Sequence, residues 1–160
     1  MDVEIRPGTG AGPFRFGMPV REALTAAREW GRFRTAAADE DPGQIVLTHD
    51  DSRMDLVLGF GGGALSAVEL IRFRKEDADV RVLLDGLDVF RTPSEDLLDE
   101  LTGRGHTIEE NDLGFDALPE LRVILANQSS YEYPADEEGD PLYYDYVLVE
   151  GPLAGRRPAR

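Results

Sequence analysis

Apolar residues recur at helical spacing in two places along this 160-residue chain. Val20, Ala23, Leu24 and Ala27 fall on one helical face, Trp30 extends that face, and Gly31 can end it. Pro19 suits the first turn, where a missing N–H costs nothing. Further along, Leu97, Leu98 and Leu101 form a second stripe, with Glu95, Asp96, Asp99 and Glu100 off it. Thr92 reads as its N-cap, with Pro93 next and Glu95 three residues on, a capping box. Gly103 and Gly105 close this helix.

After each stripe the pattern changes to short apolar runs divided by turn residues. Residues 45–49, 54–60 and 65–73 read as strands, separated by Asp50-Asp51-Ser52 and by Gly61-Gly62-Gly63. Residues 107–110, 121–127 and 144–149 follow the second helix in the same way. Strands joined by short turns pair antiparallel, and an apolar helix stripe needs a sheet to cover it. The expected fold is therefore α+β: an antiparallel sheet with two helices packed on one face, built from a duplicated helix-plus-hairpin unit. Residues 1–75 would be the first unit and residues 76–150 the second, acidic one, together making one compact domain. Residues 151–160, with Gly151, Pro152, Gly155 and Pro158, read as a flexible basic tail. Residues 128–143 have no clear period and hold Pro134, Gly139 and Pro141, so they read as a long exposed loop between the last two strands.

Composition narrows the class. A hydrophobic share of 41% supports a core despite 31% charged residues. No apolar run approaches the roughly 20 residues of a membrane span, and Met1 to Arg6 has no basic-then-apolar signal pattern. Without cysteine there is no disulfide and no thiolate chemistry. A cytoplasmic location is the expectation. One lysine against sixteen arginines reads as the codon bias of a GC-rich bacterial genome.

The net charge of −15 is unevenly spread. Residues 76–150 carry twenty-one acidic and four basic residues, a net of −17, whereas residues 1–75 are near neutral at −1. Such a field repels phosphate, which argues against a nucleic-acid partner, and draws in cations or basic proteins.

All five tyrosines lie between Tyr131 and Tyr146, interleaved with acids. Amphipathic rings beside carboxylates suit the grip of a basic surface. The candidate partner-binding residues are Tyr131, Glu132, Tyr133, Asp136, Glu137, Glu138, Asp140, Tyr143 and Tyr144. Tyr146 and one of its neighbours are assigned to the core, because strand alternation turns part of the last strand inward.

Other motifs carry less. His49, before Asp50 and Asp51, reads as part of a polar hairpin turn, and His106 as a helix-end residue complementing the dipole. Residues 59–63 are glycine-rich but lead into a strand, not the helix N-terminus a phosphate cradle needs. Asp136 to Asp140 lacks the alternate ligand spacing of a calcium loop. No catalytic residue, metal ligand or cofactor is assigned.

Gly10 to Ala23, with Phe16-Gly17-Met18-Pro19 before the helix, resembles the opening of the SmpA/OmlA domain of small outer-membrane assembly lipoproteins. It also resembles the tandem units of β-lactamase inhibitory proteins. The resemblance covers about fifteen residues, and Arg91-Thr92-Pro93 stands where the second unit would repeat Gly-Met. It implies a helical segment ahead of an antiparallel sheet and a non-catalytic binder, and transfers no site residues. The secretion signal, lipid-bearing cysteine and disulfides of those relatives are missing, which sets aside envelope and lactamase-binding roles. The expectation is a non-enzymatic binder of a basic protein, in its most concrete form an immunity or antitoxin-type inhibitor of a cationic toxin. The alternatives are a divalent-metal enzyme with an acidic cleft and a homodimerising structural domain.

Overall fold

Val3 and Ile5 alternate with exposed neighbours and bury one side of the opening strand, β1 (Asp2–Arg6). The chain folds back through β2 (Gly10–Ala11) and β3 (Phe14–Arg15) into α1 (Val20–Trp30). Pro19 stands just ahead of α1 in an extended conformation, and Gly31 caps its end. Ala23 and Ala27 bury the predicted stripe, with Val20, Leu24 and Trp30 packed at its border. The structure is a computed structural model that describes residues 1–35, 43–110, 115–128 and 131–152.

Four strands follow α1: β4 (Phe33–Thr35), β5 (Gln44–His49), β6 (Asp55–Gly61) and β7 (Ala64–Ile71). Gly62 and Gly63 both hold positive φ, +62° and +82°, between the paired residues Gly61 and Ala64. This is the two-residue turn whose twist matches that of the flanking strands. The chain then forms β8 (Arg81–Leu84), β9 (Leu87–Asp88) and α2 (Ser94–Gly103). After α2 come β10 (Glu109–Glu110), β11 (Phe115–Leu118), β12 (Val123–Ala126) and β13 (Tyr146–Glu150).

The class is α+β, with two helices and mostly antiparallel strands among the described residues. The strands form two sheets. One has the order β3-β2-β1-β8-β9, and the other β10-β11-β12-β13-β7-β6-β5-β4. β1 and β8 run parallel, pairing Val3 with Val82 and Ile5 with Leu84, while the other described pairs are antiparallel. At the middle of the larger sheet β7 pairs with β13, Leu70 opposite Val147 and Val68 opposite Val149. Side chains from both halves of the sequence join one buried cluster, which includes Val3, Ala23, Leu58, Val82, Leu97, Leu125 and Val147. No helix among the described residues is long and apolar enough to cross a membrane.

The predicted capping box does not form. Pro93 is the N-cap of α2 and no side chain caps it. The backbone N–H of Ser94 donates instead to the Leu142 carbonyl at 3.0 Å, and its Oγ reaches the same oxygen at 3.4 Å. A carbonyl from the loop before β13 thus occupies the place a Thr92 hydroxyl would take. Of the predicted tail, residues 153–160 lie outside the described residues.

Candidate functional site

The site is organised by an arginine rather than by the tyrosines around it. Along β7 the residues Val68 and Leu70 point into the core, and period-two alternation carries that inward row on to Arg72. Arg72 is 1% exposed, so its charge must find partners inside the protein. Its Nε donates to the Phe90 carbonyl at 2.9 Å. Its two terminal nitrogens donate to the two carboxylate oxygens of Glu76, Nη2 at 3.0 Å. The guanidinium carbon lies 4.5 Å from the ring centre of Phe73, 4.8 Å from Tyr143 and 5.1 Å from Tyr133. A guanidinium bonds in its plane and stacks through its faces, which lets one side chain hold all these contacts.

The loop between β12 and β13 is built around this group. Its outgoing limb brings Tyr131 and Tyr133, whose rings meet edge-on at 4.8 Å. The Tyr131 hydroxyl donates to the Arg74 carbonyl at 3.1 Å, and the Tyr133 hydroxyl donates to the Arg72 carbonyl. Two tyrosines two residues apart thus bond to two carbonyls that are also two residues apart, just beyond the end of β7. The returning limb brings Leu142 to the start of α2 and Tyr143 to the guanidinium. The Tyr143 carbonyl accepts from Asn127 Nδ2 at 2.8 Å, and the Asp145 carbonyl accepts from the Arg72 N–H at 2.9 Å. Asp145 is buried and takes the Gln128 N–H on its Oδ1 at 2.8 Å.

Between the limbs the chain makes a small hairpin. Leu142 N–H bonds to the Pro134 carbonyl, Asp136 N–H to the Asp140 carbonyl, and Gly139 N–H back to the Asp136 carbonyl. Gly139 holds φ at +87°, a conformation that glycine reaches without a Cβ penalty. Asp136 Oδ1 accepts the N–H groups of Glu138 and Asp140, each at 2.9 Å. The Asp136 carboxylate therefore shapes the turn, while the side chains of Glu137, Glu138 and Asp140 lie at its exposed tip.

The predicted partner-binding residues divide into three groups. Glu132, Asp136, Glu137, Glu138 and Asp140 are exposed, and Tyr131 is 46% exposed. Tyr133 and Tyr143 are half-buried, their rings turned to Arg72. Tyr144 is 3% exposed and its hydroxyl donates to Asp116 Oδ2. The expectation that it anchors a partner at the surface is corrected: Tyr144, two residues before β13, packs in the core and has no surface to give a partner. Tyr146 is half-buried in β13 and donates to Glu69. Burial pushes the Tyr133 phenol up to about 12, with the nearby Asp145 charge adding to it. Burial also raises Tyr144 and Tyr146, each aided by its carboxylate partner. These three hydroxyls stay protonated donors at neutral pH.

Arg72, Glu76 and Ser94 did not stand out in the sequence. The available signal was an arginine continuing the inward row of a strand, where a charge has to be paired. Both histidines have local partners. His49 is buried under Phe33, with ring centres 5.1 Å apart, and its Nδ1 accepts the Ser52 N–H at 3.3 Å and meets Ser52 Oγ at 2.7 Å. Burial lowers its basicity. His106 Nε2 lies 3.2 Å from Asp85, whose carboxyl is held below its ordinary range by that bond and by Arg104. A shallow acidic depression of about 550 Å³ lies beside α2, lined by Glu95, Leu98, Asp99, Thr102, Ile108 and Glu110. Compared with protein-family models, with curated proteins and with solved structures, the chain matches none of them.

Proposed function

We propose that this chain is a non-enzymatic binding protein that receives a basic protein on the acidic hairpin at residues 134–142 and the tyrosine beside it. Its most concrete form is an immunity or antitoxin-type inhibitor of a cationic toxin, acting in the cytoplasm. The observation that carries the reading is the hairpin itself. It holds three exposed carboxylates, Glu137, Glu138 and Asp140, with no ion-pair partner among the described residues, on a turn fixed by a fourth, Asp136. Tyr131, the one large apolar side chain exposed among the described residues, stands at the root of the same loop next to exposed Glu132. Carboxylates of this kind steer a basic partner into contact, and a ring at the edge slows its escape.

The same reading treats the architecture as one unit stated twice, with both helices on one face of the larger sheet. Short paired strands, a helix and four strands occur in that order in each half, and the two four-strand runs meet last strand to last strand. The buried residues of both helices belong to one cluster with the inward row of that sheet. The second copy then differs from the first by its long loop and its charge, the two features that suit a basic partner.

The test is a pull-down from the native host at low and high salt. Deleting the whole loop between β12 and β13, the strap that crosses Arg72, would also remove the carbonyl that caps α2, so the informative control is the E137Q/E138Q/D140N variant, which keeps Asp136 and the turn. A partner held at low salt, released at high salt and lost by the variant supports the reading. No partner at any salt, or one the variant retains unchanged, refutes it.

A further inference from the structure

We propose that Arg72 is the positioning residue of this surface: by clasping both limbs of the strap it holds the acidic hairpin in its binding shape before a partner arrives. The inference rests on the reading of the hairpin as the contact surface.

The contacts converge on one residue from both sides of the loop. Tyr133, on the outgoing limb, lays its ring 5.1 Å from the guanidinium and bonds its hydroxyl to the Arg72 carbonyl. Tyr143, on the returning limb, lays its ring 4.8 Å from the same guanidinium, and Asp145 takes the Arg72 N–H. Arg72 in turn is fixed by Phe90 and by Glu76. A second arginine steadies this support, since Arg91 lies 4.3 Å from the Phe73 ring and bonds to the carbonyls of Glu76, Ala78 and Val80. A loop joining Ala126 to Tyr146 would otherwise sample many shapes, and ordering it on binding would weaken the complex. With the limbs clasped, that ordering is done in the free protein. Lysine can substitute only in part, because an ammonium keeps the charge but has no plane of donors to share between Phe90 and Glu76 while its faces meet the rings.

The experiment uses the full chain and compares wild type with Arg72→Met, Arg72→Lys, Y133A/Y143A and E137Q/E138Q/D140N. Hydrogen exchange is read in a peptide covering residues 134–142, whose N–H groups at Asp136, Glu138, Asp140 and Leu142 are bonded within the hairpin. Peptides from β6 and β13 report whether each variant is folded. Binding is read on an immobilised nine-residue oligo-arginine peptide at low salt. Arg72→Met is expected to speed exchange in 134–142 at least tenfold while β6 stays protected, and Arg72→Lys to rescue it only in part. If Arg72→Met does not fold, Y133A/Y143A carries the test, with at least threefold faster exchange expected at the same peptide.

Binding supplies a readout that charge alone would move the other way. Removing Arg72 makes the chain more negative, which by itself strengthens its hold on oligo-arginine. Loss of the clasp is expected instead to weaken binding at least threefold in Arg72→Met. Unchanged exchange in 134–142 in folded Arg72→Met, or in Y133A/Y143A, overturns the clasp. Faster exchange with binding undiminished overturns the positioning role. If E137Q/E138Q/D140N binds oligo-arginine as wild type does, the contact-surface reading fails, and positioning of a contact surface fails with it; the exchange result alone still shows whether the clasp exists.

Discussion

At position 144 the ring and the hydroxyl can be removed separately, and the two losses tell a core residue from a surface anchor. Tyr144 is 3% exposed, and its hydroxyl donates to Asp116. Tyr144→Phe keeps the ring and removes only that bond. A hydrogen bond to a charged acceptor contributes about 1.5–3 kcal/mol. Asp116 is half-buried, so water can replace part of the lost donor and the effect falls toward the lower end, about 1–2 kcal/mol. Tyr144→Ala removes the ring as well and leaves a cavity beside the core, at a cost of about 3–5 kcal/mol. Urea unfolding followed by Trp30, the single tryptophan, measures both, with an unchanged slope showing that the denatured state is comparable. Exposed positions usually shift stability by less than about 0.5 kcal/mol. Values below that for both variants would refute the inward placement of Tyr144.

Further outcomes are expected elsewhere. His49 is buried as the neutral form, so the unfolded chain takes up its proton first as pH falls through about 6.5. Stability should therefore fall on acidification across that window, and His49→Gln should flatten this part of the profile. Tyr133 is raised to about 12, so between about pH 10 and pH 12 the unfolded state gives up protons that the folded state keeps. Stability is then lost as pH rises through that range, and absorbance titration of the phenols should show a late group ionising together with unfolding. Gly10→Ala would place a Cβ 1.9 Å from the Phe14 carbonyl oxygen, against backbone that cannot swing aside. Thermal unfolding should register a loss of about 3 kcal/mol or more, the upper range for overpacking.

The helices were legible because their stripes are periodic and their ends carry proline and glycine. Val20, Ala23, Leu24 and Ala27 mark α1 to within a residue, and Leu97 and Leu101 mark the buried side of α2. The strands flanking Gly62-Gly63 were legible for the same local reason. What escaped depends on partners far away in sequence. β8 is four residues long and acquires its meaning from parallel pairing with β1 at the other end of the chain. β11 is equally short. The capping box looked sound in sequence, but Ser94 met the Leu142 carbonyl, which no local pattern could announce. The tyrosine cluster was visible as composition, yet composition could not say that two of its rings would be taken up by Arg72. The acidic tip was easier to read, since an Asp-Glu-Glu-Gly turn between prolines has little choice but to face water.

The most direct test of the acidic hairpin as a partner surface is kinetic. The association rate of the partner recovered from the native host is measured against ionic strength, with wild type and with E137Q/E138Q/D140N. The account predicts a rate for wild type that falls steeply with salt, and a variant at least tenfold slower at low salt with a flatter dependence, as removal of steering charges requires. Equal rates and equal slopes for the two proteins would contradict it.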